Sequence, residues 1–356
     1  MKPQGNDGKS LLEAPLPRWS GPAEKLRFLL RFAVMAPSRH NAQPWVFEIE
    51  GDELRVYGDY RRSLHVVDPR DRELTMSCGA ALFNLRVAAA HYGHATSVEV
   101  VAGSRRDGML ARVHLEERRA STPEVESLFQ AIPRRRTNRL PLDSREPPAG
   151  LIAEMAREAG LEGAVLRPVE EYERREVAEL VAEGDRLQWR NPRFRGELAA
   201  WTRSNMSRRL DGLPGYAMGW GDAASVLQPI FMRLADAGPI EADRDRRRTL
   251  LTRALLVLET HGDTPADWIV AGEALERVLL RATAEGLYAS FFNQPIEIPE
   301  MRTRLRAALG ELGHPQVLFR LGYGLEVRPT PRRPLDAVVR SMEILPPRPQ
   351  PLALRQ

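Results

Sequence analysis

The chain has 356 residues, 43% of them hydrophobic and 28% charged, which suits two folded units of similar size or one large one and excludes a wholly disordered chain. A formal charge of +4 is too small for a general nucleic-acid coat. There is no run of about 18 apolar residues to span a membrane, and residues 1–20 lack the apolar core of a signal peptide. The single Cys78 cannot form an internal disulfide, so a reducing cytoplasm is the expected location. Of 52 basic residues only Lys2, Lys9 and Lys25 are lysine. A GC-rich genome explains most of that arginine, but clusters of it in loops suggest phosphate recognition.

In chain order, Ser20-Gly21-Pro22 predicts a helix start, with Leu26, Leu29, Leu30, Ala33 and Val34 on one face as far as about Ala36, where Pro37 ends it. Residues 45–49 and 54–57 flank Glu50-Gly51-Asp52-Glu53 in the pattern of a β-hairpin. A long apolar helix follows over 72–92, closed by Gly93. Strands are predicted at 98–101 and 110–115 and a helix at 123–132, before the loop Arg134-Arg135-Arg136-Thr137-Asn138-Arg139. The second half predicts helices at 150–158, 171–189, 192–201 and 267–285, with strands at 164–168, 249–258 and 316–321. Between the halves, residues 143–148 have the polar, proline-bearing composition of a linker. Residues 329–356, rich in proline and arginine, read as an extended arm.

One helix recurs. Aligning Gly79 with Gly272 also pairs Ala89 with Ala282 and Gly93 with Gly286, at one constant interval.

Two loops carry the chemistry. Pro37-Ser38-Arg39-His40-Asn41-Ala42-Gln43-Pro44 is pinned by prolines and offers donors and acceptors at low ordering cost, which suits a planar heterocycle with polar edges; helix and strand capping explains it equally well. The loop at 134–139 gathers four guanidinium groups around Thr-Asn. Paired guanidinium groups grip phosphate oxygens, and the alternatives are a solvated basic turn or a nucleic-acid contact. Arg332-Arg333, framed by Pro331 and Pro334, is placed to close over the same phosphate. Cys78 suits the core, and the seven histidines show no metal-ligand spacing, so no metal is expected. Gly322-x-Gly324 lacks the rest of a dinucleotide fingerprint.

Ala-Pro-Ser-x-x-Asn-x-Gln-Pro-Trp at 36–45, Arg-Arg-Thr-Asn-Arg at 135–139, residues 271–276 with Glu285-Gly286-Leu287, Gly-Tyr-Gly at 322–324 and Pro-Arg-Arg-Pro at 331–334 together resemble the FMN-dependent nitroreductase family. They are most similar to its Acg-type branch, in which one chain carries two nitroreductase-like halves. The resemblance spans about residues 22–340. It implies an α+β fold of two pseudo-symmetric halves, 21–142 and 149–340, joined by the 143–148 linker and flanked by a flexible N-terminal arm (1–20) and a C-terminal tail (341–356). It further implies FMN between the halves. Arg135, Arg136, Thr137 and Arg139 would grip its phosphate and ribityl, and Pro37, Ser38, Arg39 and Asn41 would meet the isoalloxazine. Glu285, Gly286 and Leu287 would lie along the N5 edge, and Arg332 or Arg333 would complete the phosphate pocket. Each loop occurs once, so one flavin per chain follows, in a monomer with an internal pseudo-dimer that could dimerise further. Residues 190–222, with Trp201, Tyr216, Met218 and Trp220, resemble a lid over the flavin.

The implied function is electron transfer from NAD(P)H through FMN to a small nitro, quinone or other unsaturated acceptor, with no nucleic-acid or membrane partner. The alternative is a flavin-sequestering protein whose lid denies entry.

Overall fold

A computed structural model describes residues 11–16, 21–101, 108–118 and 120–340. Helix α1 (Pro22–Ala33) begins with Pro22 at its first turn and buries Leu26, Leu29, Leu30, Phe32 and Ala33. Strands β1 (Trp45–Glu50) and β2 (Glu53–Gly58) form the predicted hairpin, with Val46 opposite Tyr57. After helix α2 (Arg72–His91) come β3 (His94–Val100) and β4 (Met109–Arg118), then helix α3 (Pro123–Ala131). These strands form a five-stranded sheet in the order β11-β1-β2-β4-β3, where β11 is Val339–Arg340 from the far end of the chain.

The second half opens with α4 (Leu151–Leu161), β5 (Val165–Pro168), α5 (Glu171–Arg190) and α6 (Pro192–Trp201). The two-residue strands β6 (Thr202–Arg203) and β7 (Leu213–Pro214) pair in parallel, before α7 (Asp222–Leu234) and α8 (Gly238–Leu251). The half closes with β8 (Ala254–Thr260), α9 (Pro265–Ala284), β9 (Tyr288–Phe291), the short α10 (Gln294–Glu297), α11 (Pro299–Ala308) and β10 (His314–Gly322). Its four strands order as β5-β8-β10-β9. Among the described residues no helix is long and apolar enough to cross a membrane.

The fold is thus α+β in two halves, and helices α2 and α9 form the seam between them. Their buried faces feed two cores: Cys78, Ala81, Leu82 and Leu85 pack with α1 and the first sheet, while Ala271, Ala274, Val278 and Leu279 pack with the second. The helices cross at Gly79 and Gly272, the two positions paired by the internal alignment. A Cβ built on Gly272 would overlap the Met76 carbonyl, and one on Gly79 would overlap the Ile269 carbonyl and lie 3.2 Å from the Gly272 Cα. Only hydrogen fits at either position.

Three expectations need correction. The N-terminal segment is packed at 11–16: Leu11 is buried and the Tyr92 hydroxyl donates to the Ala14 carbonyl at 2.8 Å, because an apolar Leu-Leu pair finds the first core. The segment 329–340 is likewise packed, with Val338 buried and Val339 paired beside Phe47; the remainder of the expected tail, 341–356, lies outside the described residues. The strand expected over 249–258 begins at Ala254. Residues 238–251 are helical, since Glu241, Asp243 and Asp245 sit three or four residues before Arg244, Arg247 and Arg248 and pair with them. The linker region is anchored by the Asp143 amide, which donates to the Tyr323 carbonyl at 2.9 Å.

Because the α2–α9 crossing allows no side chain, Gly272→Ala is expected to cost at least about 2 kcal/mol in equilibrium chemical denaturation. Gly160→Ala, in the last turn of α4 where a Cβ meets nothing within 4 Å, should leave stability unchanged or slightly raised.

Candidate functional site

Three cavities of about 50, 100 and 390 Å³ meet at Thr137 and Arg139, which border all of them. The smallest is basic. Arg135, Arg136, Arg139, Arg328 and Arg332 surround it, with Ser38 and Asn41 from the proline-pinned loop. The middle one has an apolar floor of Met76, Ala80 and Leu275, where α2 and α9 lie side by side, and polar edges from Ser38, Glu73, Ser77 and Asn293. The largest is walled by Trp189, Phe194, Trp220, Phe231, Phe291 and Phe292. Together they make a trough that grades from cationic to flat and apolar to aromatic.

The arginine loop is fixed by the second sheet. Thr137 bridges Ala289 in parallel, the Asn138 amide donates to the Ala289 carbonyl at 2.9 Å, and the Asn138 side chain spans Leu325 and Leu140. Thr-Asn therefore sets the backbone that aims the arginines. Arg135 is buried, 3.5 Å from Glu276. Burial pushes the Glu276 carboxyl up to about 7 against the pull of Arg135. Arg136 donates only to the Arg135 carbonyl, and Arg139 has no hydrogen bond or ion pair with any described residue. Arg332 donates to neutral oxygens alone, those of Asn41, Thr330, Met35, Ala36 and Pro331. Burial and then Arg135 hold Arg136 down at about 10, burial and then Arg39 do the same for Arg139, and burial with Arg135 and Arg136 holds Arg332 at about 9. Of the five guanidinium groups around the smallest cavity only Arg135 has a carboxylate of the described residues within ion-pair distance, and the site carries an uncompensated positive charge.

The loop at 38–43 is strained. His40, Asn41 and Gln43 are all left-handed, with φ of 50°, 53° and 52°. The Ser38 hydroxyl accepts from the Gln43 amide at 2.9 Å, and the Gln43 carboxamide donates to the Leu210 carbonyl at 2.7 Å and accepts from the Arg333 amide at 2.7 Å. Asn41 donates to the Gly212 and Pro331 carbonyls. Arg39 reaches the wall shared by the two larger cavities, where Glu297 holds it at 2.6 Å and Glu73 at 3.5 Å. His40 is buried there with Nε2 unpartnered, and burial beside Arg39 and Arg139 pushes its pKa well below the ordinary value, so the ring is neutral at pH 7.

Of the expected site residues, Pro37, Ser38, Arg39, Asn41, Arg135, Arg136, Thr137, Arg139 and Arg332 line the trough. Arg333 instead clamps the loop from behind, its guanidinium donating to the Gln43 and Ala337 carbonyls. Glu285, Gly286 and Leu287 line none of the three cavities. Gly286, at φ 76°, ends α9, Glu285 pairs with Arg281, and Leu287 is buried in the second core. That segment serves as a helix terminus, and the chain reaches the trough only at Ser290–Gln294. Met218 and Trp220 line the largest cavity. Tyr216 and Trp201 act as fasteners: the Tyr216 hydroxyl donates to the Pro329 carbonyl at 2.8 Å, and the Arg62 guanidinium lies over the Trp201 ring.

Sequence reasoning missed Glu73, Ser77 and Ala80 on one face of α2, although two polar side chains in an apolar helix were the available signal. It also missed Asp185 and Asp245, which share the Gln294 carboxamide at 3.0 and 3.1 Å on the wall of the largest cavity. Burial and then Asp245 push Asp185 up to about 8.

No protein-family model matches the chain. It is 33% identical over 322 residues to "Putative NAD(P)H nitroreductase Rv3131" of Mycobacterium tuberculosis, covering 89% of this chain and 91% of that protein. It is 28% identical over 321 residues to "Putative NAD(P)H nitroreductase acg" of the same organism, covering 88% and 94%. Among solved structures it is similar to the FMN-dependent nitroreductase NfnB from Mycobacterium smegmatis in complex with NADPH, with 16% identity and a TM-score of 0.37 over 61% of this chain and 98% of that one. With a third of its residues shared with Rv3131 across nine-tenths of its length, the chain belongs to the nitroreductase family, on its Acg-type branch.

Proposed function

We propose that the protein is an FMN-dependent oxidoreductase that takes electrons from a nicotinamide cofactor and passes them to a small, flat nitro, quinone or other unsaturated acceptor. The observation that carries this reading is the half-buried guanidinium set Arg136, Arg139 and Arg332, which has no carboxylate of its own and faces a phosphate-sized cavity. A bound phosphate monoester would supply the missing negative charge. The adjoining apolar floor of Met76, Ala80 and Leu275 offers a flat surface for a ring system. The donor set therefore fits FMN.

In that assignment Arg135, Arg136, Arg139 and Arg332 would hold the phosphate, Thr137 and Ser38 the ribityl hydroxyls, and the α2–α9 floor the ring. When bound, FMN supplies two-electron chemistry, and the protein supplies position and electrostatics. Neutral His40 carries no spare proton at pH 7 and serves as a hydrogen-bonding wall. Arg39, tied between Glu297 and Glu73, keeps a fixed cation beside the two larger cavities. The aromatic side chains of the 390 Å³ cavity offer flat apolar surface beside its charged and polar groups.

The second reading, flavin sequestration, is favoured by the way residues 210–216 are fastened down. Leu210 and Gly212 are bonded to Gln43 and Asn41, Asp211 pairs with both Arg62 and Arg203, and Tyr216 is bonded to Pro329. The two readings share one site and differ in how often that segment opens.

Each charge-assisted bond to phosphate contributes about 1.5–3 kcal/mol, so the double variant Arg136→Ala/Arg139→Ala should bind FMN at least about tenfold more weakly by fluorescence-quenching titration. Unchanged affinity would overturn the assignment. Tyr216→Phe removes one fastener worth about 1 kcal/mol, and anaerobic stopped-flow mixing with NADPH should show flavin reduction up to about fivefold faster. A rate unchanged in wild type and variant, with bleaching by dithionite alone, would favour sequestration.

A further inference from the structure

A second basic cavity, of about 450 Å³, opens where residues 141–145, α8 and β10 meet. Helix α8 turns Arg244, Arg247, Arg248 and Leu251 toward it at positions i, i+3, i+4 and i+7, and Arg145, Arg253 and Arg320 complete the basic lining. Five of the six guanidinium groups have a carboxylate: Arg145 has Asp143 at 2.6 Å, Arg244 has Glu241 at 2.8 Å, Arg248 has Asp245 at 3.0 Å, Arg253 has Glu146 at 3.8 Å, and Arg247 pairs with Asp243. Arg320 has none. It is 4% exposed, its Nε has no partner, and its Nη2 donates only to the Leu140 carbonyl at 3.2 Å.

A buried guanidinium with an idle donor is costly unless an anion comes to it. Burial, helped by Arg248, already pushes Arg320 down to about 10. Around it, the Arg145, Arg247 and Arg253 side chains are 66%, 66% and 56% exposed, so their ion pairs contribute little and they are free to turn toward an incoming charge. One buried fork and several mobile ones match the three oxygens and double charge of a phosphate. We propose that this cavity binds the phosphate group of a small molecule, with Arg320 as the buried anchor and Arg247 and Arg253 closing over it from solvent.

Arg244 and Arg248 also border the large aromatic cavity, so a ligand held here by its phosphate has its remaining length directed toward the trough. Two sources share that chemistry: the phosphate-bearing end of a nicotinamide cofactor, which rests on the oxidoreductase reading, and a separate phosphorylated metabolite, which does not.

The test is calorimetric titration of the full chain, saturated with FMN, with inorganic pyrophosphate. One site per chain is expected, weakened at least about tenfold in Arg320→Met. The exposed double variant Arg247→Gln/Arg253→Gln, which threatens no buried contact, should weaken it about threefold or more. Arg136→Ala should leave it unchanged, separating this site from the flavin phosphate site. Absence of binding to the wild type, or equal binding by both the Arg320 and the double variant, overturns the proposal; if Arg320→Met does not fold, the double variant decides alone. In anaerobic flavin reduction, a higher KM for NADPH with kcat retained in the double variant identifies the nicotinamide cofactor as the source. An unchanged KM beside weakened pyrophosphate binding identifies a separate phosphorylated ligand. Pyrophosphate binding in a protein that takes up no FMN would overturn the oxidoreductase reading and leave this site standing.

Discussion

The close crossing of α2 and α9 at Gly79 and Gly272 is the constraint on which the rest of the molecule depends. At that point each helix meets a backbone carbonyl of the other, and any side chain would drive them apart. Because the helices touch there, Met76 and Ala80 from one half and Leu275 from the other form a continuous flat floor. Every polar group of the trough is then hung around that floor by loops from both sheets. Residues of the first half feed into the second core at Met76, and residues of the second feed into the first at Ile269 and Leu280. Neither half closes its hydrophobic interior alone, so cooperative folding of both follows from the same contact that builds the site.

Charge is distributed just as deliberately. Many of the described arginines are neutralised locally, as in Arg86 shared by Glu162 and Glu273 or Arg302 held by Asp263. Such pairs fix surface and seam geometry and leave no demand for a ligand. Arg320, which is buried, and Arg136, Arg139 and Arg332, which are half-buried, stand apart because they are drawn out of water without a carboxylate of their own. A protein stable without a ligand gains little from such groups, since each raises the free energy of the folded state. Their position at the rims of cavities is the observation on which both proposed phosphate sites rest.

Much of this was legible in the sequence where local chemistry and tertiary demand coincide. The 22–33 helix, the 45–58 hairpin and the long α2 and α9 helices follow from periodicity, caps and turn residues, and the Gly79–Gly272 alignment located the seam. The arginine loop was legible as a phosphate-binding candidate because four guanidinium groups in six residues have few structural uses. What was not legible was contact between distant segments. Nothing local to Glu285-Gly286-Leu287 distinguishes a helix terminus from a cofactor edge, and only the fold shows the chain entering the trough at Ser290. Arg332 and Arg333 differ by one position and point to opposite sides of the 38–43 loop, a distinction set by backbone direction alone. Residues 238–251 misled because Thr249-Leu250-Leu251 continues into the apolar run of β8, while the acid–arginine pairing that makes the segment helical lies upstream.

The strained loop explains why the covering segment and the site beneath it cannot behave independently. His40, Asn41 and Gln43 each hold a left-handed conformation that costs on the order of 1 kcal/mol or more for a residue with a side chain. The bonds that hold them there are those made by Asn41 and Gln43 to Leu210, Gly212, Pro331 and Arg333. If residues 210–212 lift as the proposed lid, two of those bonds are lost directly and the strain is less supported, so the loop carrying Pro37, Ser38 and Arg39 would lose rigidity. Conversely, any ligand that braces Ser38 and Arg39 from inside the trough supplies support from the other face and favours the closed cover. In the proposed reading, the same few hydrogen bonds would set both how firmly the trough holds a flavin and how often it admits a partner.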